Sequence, residues 1–211
     1  MIYSKSKQFA FFRLPRTGST SMTEMLLPYA SISGVHQTKI TPEFPFYKHM
    51  KLSQFKDAIG QEAFDNTFKF CFVRNPYSRS QSLYHHRRKH YKEGKSSLKK
   101  LIYGFIFQLP IKISFLAFTI FLLNPNKGLT MSVTRFITDE KGNKLVDKVY
   151  KFEEIDQSYQ DLADQLHLED VHKIVKVNPS IKREGEADIS SWLARKIIRY
   201  KYNETFKAFY K

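Results

Sequence analysis

The sequence of 211 residues predicts an α/β fold in which a central parallel sheet is covered by helices on both faces. Three observations carry this. The aromatic-rich runs "QFAFFRL" (8–14) and "FKFCFVR" (68–74) have strand length and composition. Each breaks at an arginine and leads into a helical pattern. A further strand near 148–152 precedes another amphipathic stretch. Length and composition, with 42% hydrophobic residues, fit one domain over 1–211.

Along the chain, the first strand leads through a Pro-Arg-Thr-Gly turn into the helical "STSMTEMLLPYA", where Met22, Met25 and Leu26 share a face. Residues 30–50 hold two prolines and no firm period, so a loop with short pieces of structure is expected, followed by a helix over 51–64. After the second strand, Asn75 caps a helix with Pro76 in its first turn. Residues 132–153 alternate around Gly142-Asn143 and predict a hairpin leading into the 148–152 strand. A helix over 155–167, a strand "HKIVKVN", a polar loop at 179–188 and a terminal helix from about Ile189 complete the chain. Trp192, Ile197, Ile198, Tyr202 and Phe206 are expected on the inner face of that last helix.

Lys and Arg outnumber Asp and Glu 35 to 20, a net charge of +15 that favours a polyanionic partner. Nucleic acid, an anionic membrane surface, an acidic glycan and a phosphate-rich cofactor all suit that field. The single Cys71 has no internal disulfide partner, which favours a cytoplasmic setting. The longest apolar stretch, "ISFLAFTIFLL" (113–123), is too short to span a bilayer. It reads as a buried helix, with an interfacial or acceptor-facing element as the alternative, so no transmembrane segment but a peripheral membrane contact remains open.

A loop that leaves a strand and opens a helix directs unpaired N–H groups and the positive end of the helix dipole at whatever sits above it. In "PRTGSTS", Gly18 permits close backbone approach, Thr17, Ser19, Thr20 and Ser21 supply hydroxyls, and Arg16 adds a fork of charged donors. Phosphate or sulfate suits such a loop; a capped helix beside an incidental arginine is the competing reading. The Walker pattern is absent, which argues against a nucleoside triphosphatase. In "FVRNPYSRSQSLYHH" an arginine again ends an apolar strand, and Arg74 with Ser82, less than two turns into the next helix, suits a second phosphate.

The pair "PRTGSTS" and "FKFCFVRNPYSRSQSLYHH" resembles the 5′-phosphosulfate loop and the 3′-phosphate element of the sulfotransferases, above all the carbohydrate (family 2) branch and its short bacterial members. The stretches "FITDEKGNKLVDKVYKFEEIDQSYQDLADQLHL", "VNPS" and "YNETFKAFYK" resemble the closing half of that family. Residues 9–27, 68–91 and 133–210 match well; 30–67 and 93–130, where such enzymes differ in acceptor binding, match loosely. The resemblance implies a P-loop-like three-layer fold. It also implies the donor 3′-phosphoadenosine-5′-phosphosulfate (PAPS), the product adenosine 3′,5′-bisphosphate (PAP), no metal and a carbohydrate acceptor. Carried over by residue, Arg16, Thr17, Gly18, Ser19, Thr20 and Ser21 hold the 5′-phosphosulfate, and Arg74 with Ser82 the 3′-phosphate. Arg16 stands where the family often has lysine, which keeps the charge and changes the donor geometry.

In-line sulfuryl transfer needs a base for the acceptor hydroxyl and fixed positive charge on the departing phosphate, a role assigned to Arg16 with the loop N–H groups. His49, in "FYKHMKLSQFKDAIG", resembles the family's histidine-bearing segment and is the expected base, with His36 in reserve. His85 and His86 either line the acceptor cleft or are solvated. The basic run 85–100 is either a solvated helix end or an attractor of an anionic acceptor. No Cys/His set has metal-ligand spacing. No nucleic-acid module is recognisable, so a nucleic-acid partner is not expected. The alternative functions are a non-catalytic anionic-glycan binder or a nucleic-acid-binding protein.

Overall fold

The computed structural model describes residues 1–38, 41–91, 97–122, 132–168 and 189–210. The chain divides into two compact units: Met1–Arg74 with Val133–Pro179, and Asn75–Ser132 with Ser180–Lys211.

The first unit is built on a five-stranded sheet comprising β1 (Ile2–Ser4), β2 (Phe9–Phe12), β3 (Ile32–Ser33), β4 (Phe68–Val73) and β5 (Lys148–Lys151). Their order is β3-β1-β2-β4-β5. The core β2, β4 and β5 is parallel, as the alternation of strands and helices predicts. An antiparallel edge of β1 and β3, absent from the sequence reading, is added to it. Only Lys5 to Gln8 separate β1 from β2, a connection short enough for a hairpin and far too short for a parallel crossover.

Register places Phe9 beside Phe68 and Phe11 beside Phe70, and Phe72 beside Tyr150. Because side chains alternate across a strand, these rings share one face. There they pack against Met22 and Leu26 of α1 (Ser19–Leu26) and Tyr159, Leu162 and Leu166 of α8 (Ile155–Leu166). On the opposite face Tyr3 and Phe12 meet Phe55 of α2 (Leu52–Ile59) edge-on. Helix, sheet, helix is thus the layering of this unit.

The helix expected over 51–64 is two, α2 and α3 (Gln61–Asp65), because Gly60 at φ +83° cannot continue a right-handed helix. The expected hairpin shrinks to one bridge, Thr138 to Lys144, preceded by the helical turn α7 (Thr134–Ile137). Asp139 takes both the backbone N–H and the side-chain amide of Asn143, closing the loop locally before a ladder can extend.

The second unit contains α4 (Pro76–His90), α5 (Ser97–Gln108), α6 (Ile111–Leu122), α9 (Trp192–Lys201) and α10 (Asn203–Phe209). Asn75 accepts a hydrogen bond from the Tyr77 N–H at 3.0 Å and Pro76 stands in the first turn of α4, as expected. Tyr84 of α4 is fully buried among Phe107, Phe115 and Phe118, and its hydroxyl donates to Ser114. The apolar stretch expected to be a buried helix is buried on one side: Phe115 and Phe118 face this core, whereas Ile113 and Ile120 are exposed.

The last expected helix bends at Tyr202 into α9 and α10. Ser191 caps α9, so Trp192 opens its first turn and points outward, 72% exposed, contrary to expectation. Ala194, Ile198 and Tyr202, at a spacing of four, form the inner row, and Phe206 follows them. The expected strand "HKIVKVN" and loop 179–188 lie outside the described residues.

Candidate anion-binding site

The parallel strands β2, β4 and β5 end on the same side of the sheet, and in open α/β sheets ligands bind beyond such carboxyl ends. The residues that follow β2 turn through two left-handed positions, Arg16 at φ +65° and Gly18 at φ +74°. Holding an arginine there costs about 1–2 kcal/mol. Two hydroxyls brace the turn, Thr17 Oγ1 donating to the Leu14 carbonyl at 3.0 Å and Ser19 Oγ to the same oxygen at 3.4 Å. Thr17 and Ser19 are therefore buried and turned into the loop, while Arg16, Thr20 and Ser21 stay half-exposed. Gly18 caps α1 without a side chain, so the first-turn N–H groups receive no side-chain cap from it.

Position 18 admits only glycine. A Cβ there would lie 2.1 Å from the ring of Phe152, the residue after β5. The same ring carries the buried Arg74 guanidinium, 4.8 Å from its centroid. Register explains the pairing: Val73 is opposite Lys151, so the next residues, Arg74 and Phe152, leave the sheet side by side. One ring thus touches both the glycine of the first loop and the arginine that ends β4.

His49 comes from the loop before α2. Its Nδ1 is 2.7 Å from the Arg13 carbonyl, which only accepts, so Nδ1 carries the proton and Nε2 keeps its lone pair. Burial, with the charges of Lys48 and Arg13 adding to it, lowers the imidazole pKa to about 4. The segment is pinned by Tyr47 Oη, which donates to Gln54 at 2.6 Å, and by the Lys51 N–H, which donates to the same amide oxygen. The reserve candidate His36 is exposed.

The sequence reading missed Arg13, Lys48 and Phe152. Arg13 is 4% exposed, and its Nε and Nη1 have no hydrogen-bond partner. Burial lowers its pKa and that of Arg16. Lys48 is lowered by burial and then by the charges of Arg13 and Arg16. The charges of Arg13 and Lys48 therefore act on a neutral imidazole, and that of Arg16 on Lys48, a distribution that an anion would relieve. A basic residue on either side of "LP" in "RLPR" was the available signal for Arg13.

Ser82 belongs to the second unit, where it is buried on α4. In that unit Arg79 is buried with its guanidinium over Tyr202, 5.6 Å from the centroid, and the neighbouring Lys201 Nζ is buried without a partner. His85 meets the Tyr84 ring and His86 the His90 ring. Glu153 is exposed. Of the basic run, residues 92–96 lie outside the described residues. Among the described residues no group of three or more His, Cys, Asp or Glu is placed to hold a metal ion. Among them, too, no helix is long and apolar enough to cross a membrane.

A family model described as "Sulfotransferase family" matches residues 1–210, nearly the whole chain. No match was found among curated proteins or among solved structures.

Proposed function

Because the chain belongs to the sulfotransferase family, we propose that it moves a sulfuryl group from PAPS to a hydroxyl of a carbohydrate acceptor, with His49 as base. The observation that carries this reading is the neutral His49 held against the Arg13 carbonyl with the charges of Arg13 and Lys48 on it, and Arg16 acting on Lys48, beyond the carboxyl end of β2. The residues present fit an anionic nucleotide: a buried Arg13 with two nitrogens lacking hydrogen-bond partners, an uncapped helix start and a glycine whose Cβ position is already occupied. PAPS, when bound, supplies a sulfuryl group on a good phosphate leaving group.

Arg16 and the N–H groups from Gly18 to Ser21 hold the 5′-phosphosulfate, with the hydroxyls of Thr20 and Ser21 at hand. Thr17 and Ser19 hold the loop in shape through Leu14. Arg74 is the proposed holder of the 3′-phosphate, and the family resemblance assigns Ser82 to the same group. His49 Nε2 takes the acceptor proton, and Arg16 and the loop N–H groups bear the charge left on the phosphate. In free protein burial keeps the imidazole a weak base; an anion beside Arg13 and Lys48 offsets the part of the lowering that their charges add. A cytoplasmic, bacterial setting belongs to the same reading. The cytoplasmic part rests on the single cysteine, Cys71, which has no disulfide partner in the chain, and the bacterial part on the resemblance to the family's short bacterial members.

Two measurements test it. PAP at about a hundred times its dissociation constant should stabilise the fold by about 2.7 kcal/mol. Labelled sulfate from PAPS should then appear on a member of a glycan array. PAP binding without transfer to any glycan would leave a non-catalytic binder or a different acceptor class; no stabilisation by PAP would remove the donor site itself.

A further inference from the structure

Eight of the nine large hydrophobics exposed among the described residues lie on three adjoining helices of the second unit. Leu101 and Phe105 stand one turn apart on α5, Ile113 and Ile120 two turns apart on α6, and Trp192 and Tyr200 two turns apart on α9. Their inner faces share a single core, so the outer rows are surplus to folding. The same helices carry the exposed cations Lys100, Lys112, Arg195, Lys196 and Arg199. None of the three contains an aspartate or glutamate.

We propose that the outer faces of α5, α6 and α9 form a docking surface for an anionic lipid bilayer. Apolar side chains interspersed with cations, with Trp and Tyr at the end of the series, are what a headgroup boundary accommodates: hydrocarbon below, phosphate above. Lys196 already lies over the Trp192 ring, 5.3 Å from its centroid, so indole and ammonium occupy one patch. A soluble polyanion would satisfy the cations and leave Phe105, Ile113 and Ile120 in water. A second copy would set basic rows against each other with no carboxylate on these helices to pair them, in a chain of net charge +15. An anionic bilayer satisfies both halves of the surface. Docking there would hold the protein beside acceptors carried on lipid, although the binding itself does not depend on the transferase reading.

Trp192 is the chain's one tryptophan and reports on this face directly. The full chain is mixed with vesicles of phosphatidylcholine alone or of phosphatidylcholine with phosphatidylglycerol, and Trp192 emission and co-sedimentation are read. The mixed vesicles should shift the emission to the blue and sediment the protein, with little effect of phosphatidylcholine alone. Lys196→Glu should lower partitioning by about fivefold or more. The double variant Leu101→Ser/Phe105→Ser should lower it by about tenfold or more. Circular dichroism checks the fold, and Ile120→Ser on α6 serves if the double variant does not fold. Three outcomes overturn the proposal: no association with the mixed vesicles; association that the serine variants leave unchanged, which is adsorption by charge alone; or dimerisation without lipid that itself shifts Trp192.

Discussion

The Arg74 guanidinium lies over the face of Phe152, 4.8 Å from the ring centroid. Such a contact is worth about 0.5–2 kcal/mol, more as it is desolvated, and Arg74 is buried. The ring's edge also occupies the space a side chain at position 18 would need. The β2–α1 loop and the end of β4 are therefore coupled through one phenyl group.

Gly18→Ala should disrupt this coupling twice over, by straining φ +74° and by driving a methyl into Phe152. A stability loss of about 1–3 kcal/mol is expected. PAP binding, measured by calorimetry, should fall at least tenfold. Phe152→Leu should leave the fold closer to intact while weakening PAP binding, because it removes the ring under Arg74. Unchanged affinity in both variants would separate these residues from the nucleotide.

Arg13 gives a contrast between stability and function. Two of its nitrogens are buried without hydrogen-bond partners, and burial lowers its pKa more than the charge of Glu24 raises it, so the buried guanidinium costs stability. Arg13→Met, of similar volume, should melt at or above the temperature of the parent. It should also remove one charge acting on His49, raising the imidazole pKa, and weaken PAP binding about tenfold. A strongly destabilised variant that binds PAP normally would show Arg13 to be structural only.

The pH dependence of stability follows from His49. Its pKa is about 6.5 in the unfolded chain and about 4 folded, so the unfolded state binds more protons between these values. The contribution of this group is fully present above pH 6.5 and is lost as pH falls toward 4. At about 1.4 kcal/mol per pH unit, discounted for the partial exposure of the ring, the loss is on the order of 2 kcal/mol. His49→Gln keeps a donor for the Arg13 carbonyl, should flatten this part of the denaturation profile, and should abolish transfer while PAP still binds. Nitrogen chemical shifts should report a neutral ring protonated at Nδ1.

What the sequence disclosed was local. The strand-turn-helix units around Gly18 and Asn75 depend on a positive φ, a capping amide and an N-terminal proline, each visible in a few residues. Phe152 was hidden because parallel register, which matches Val73 to Lys151 across 78 positions, brings it to Arg74. Arg13 reads as a polar strand end; it is buried beside a segment, 46–50, that has no periodicity of its own. Trp192 was misplaced because the capping Ser191 sets the phase of α9, and the inner row starts at Ala194.

Lys201 provides a prediction confined to the second unit and independent of any ligand. Burial first, and then the charge of Arg79, lowers its pKa from 10.5 to about 8, and its Nζ has no partner. Between pH 8 and 10.5 the unfolded chain holds this proton and the folded chain does not, so stability should rise as pH rises through that window. Below pH 8 the penalty is constant and fully present. Lys201→Met keeps the aliphatic stem against the Tyr202 ring, 5.6 Å from Nζ to its centroid, and removes the charge. The variant should therefore be the more stable at neutral pH, by up to about 2 kcal/mol after allowance for partial exposure. Its advantage should shrink toward pH 10.5. Chemical denaturation at pH 7 and pH 10 reads both effects. A variant less stable at pH 7 would mean that the ammonium is satisfied in solution.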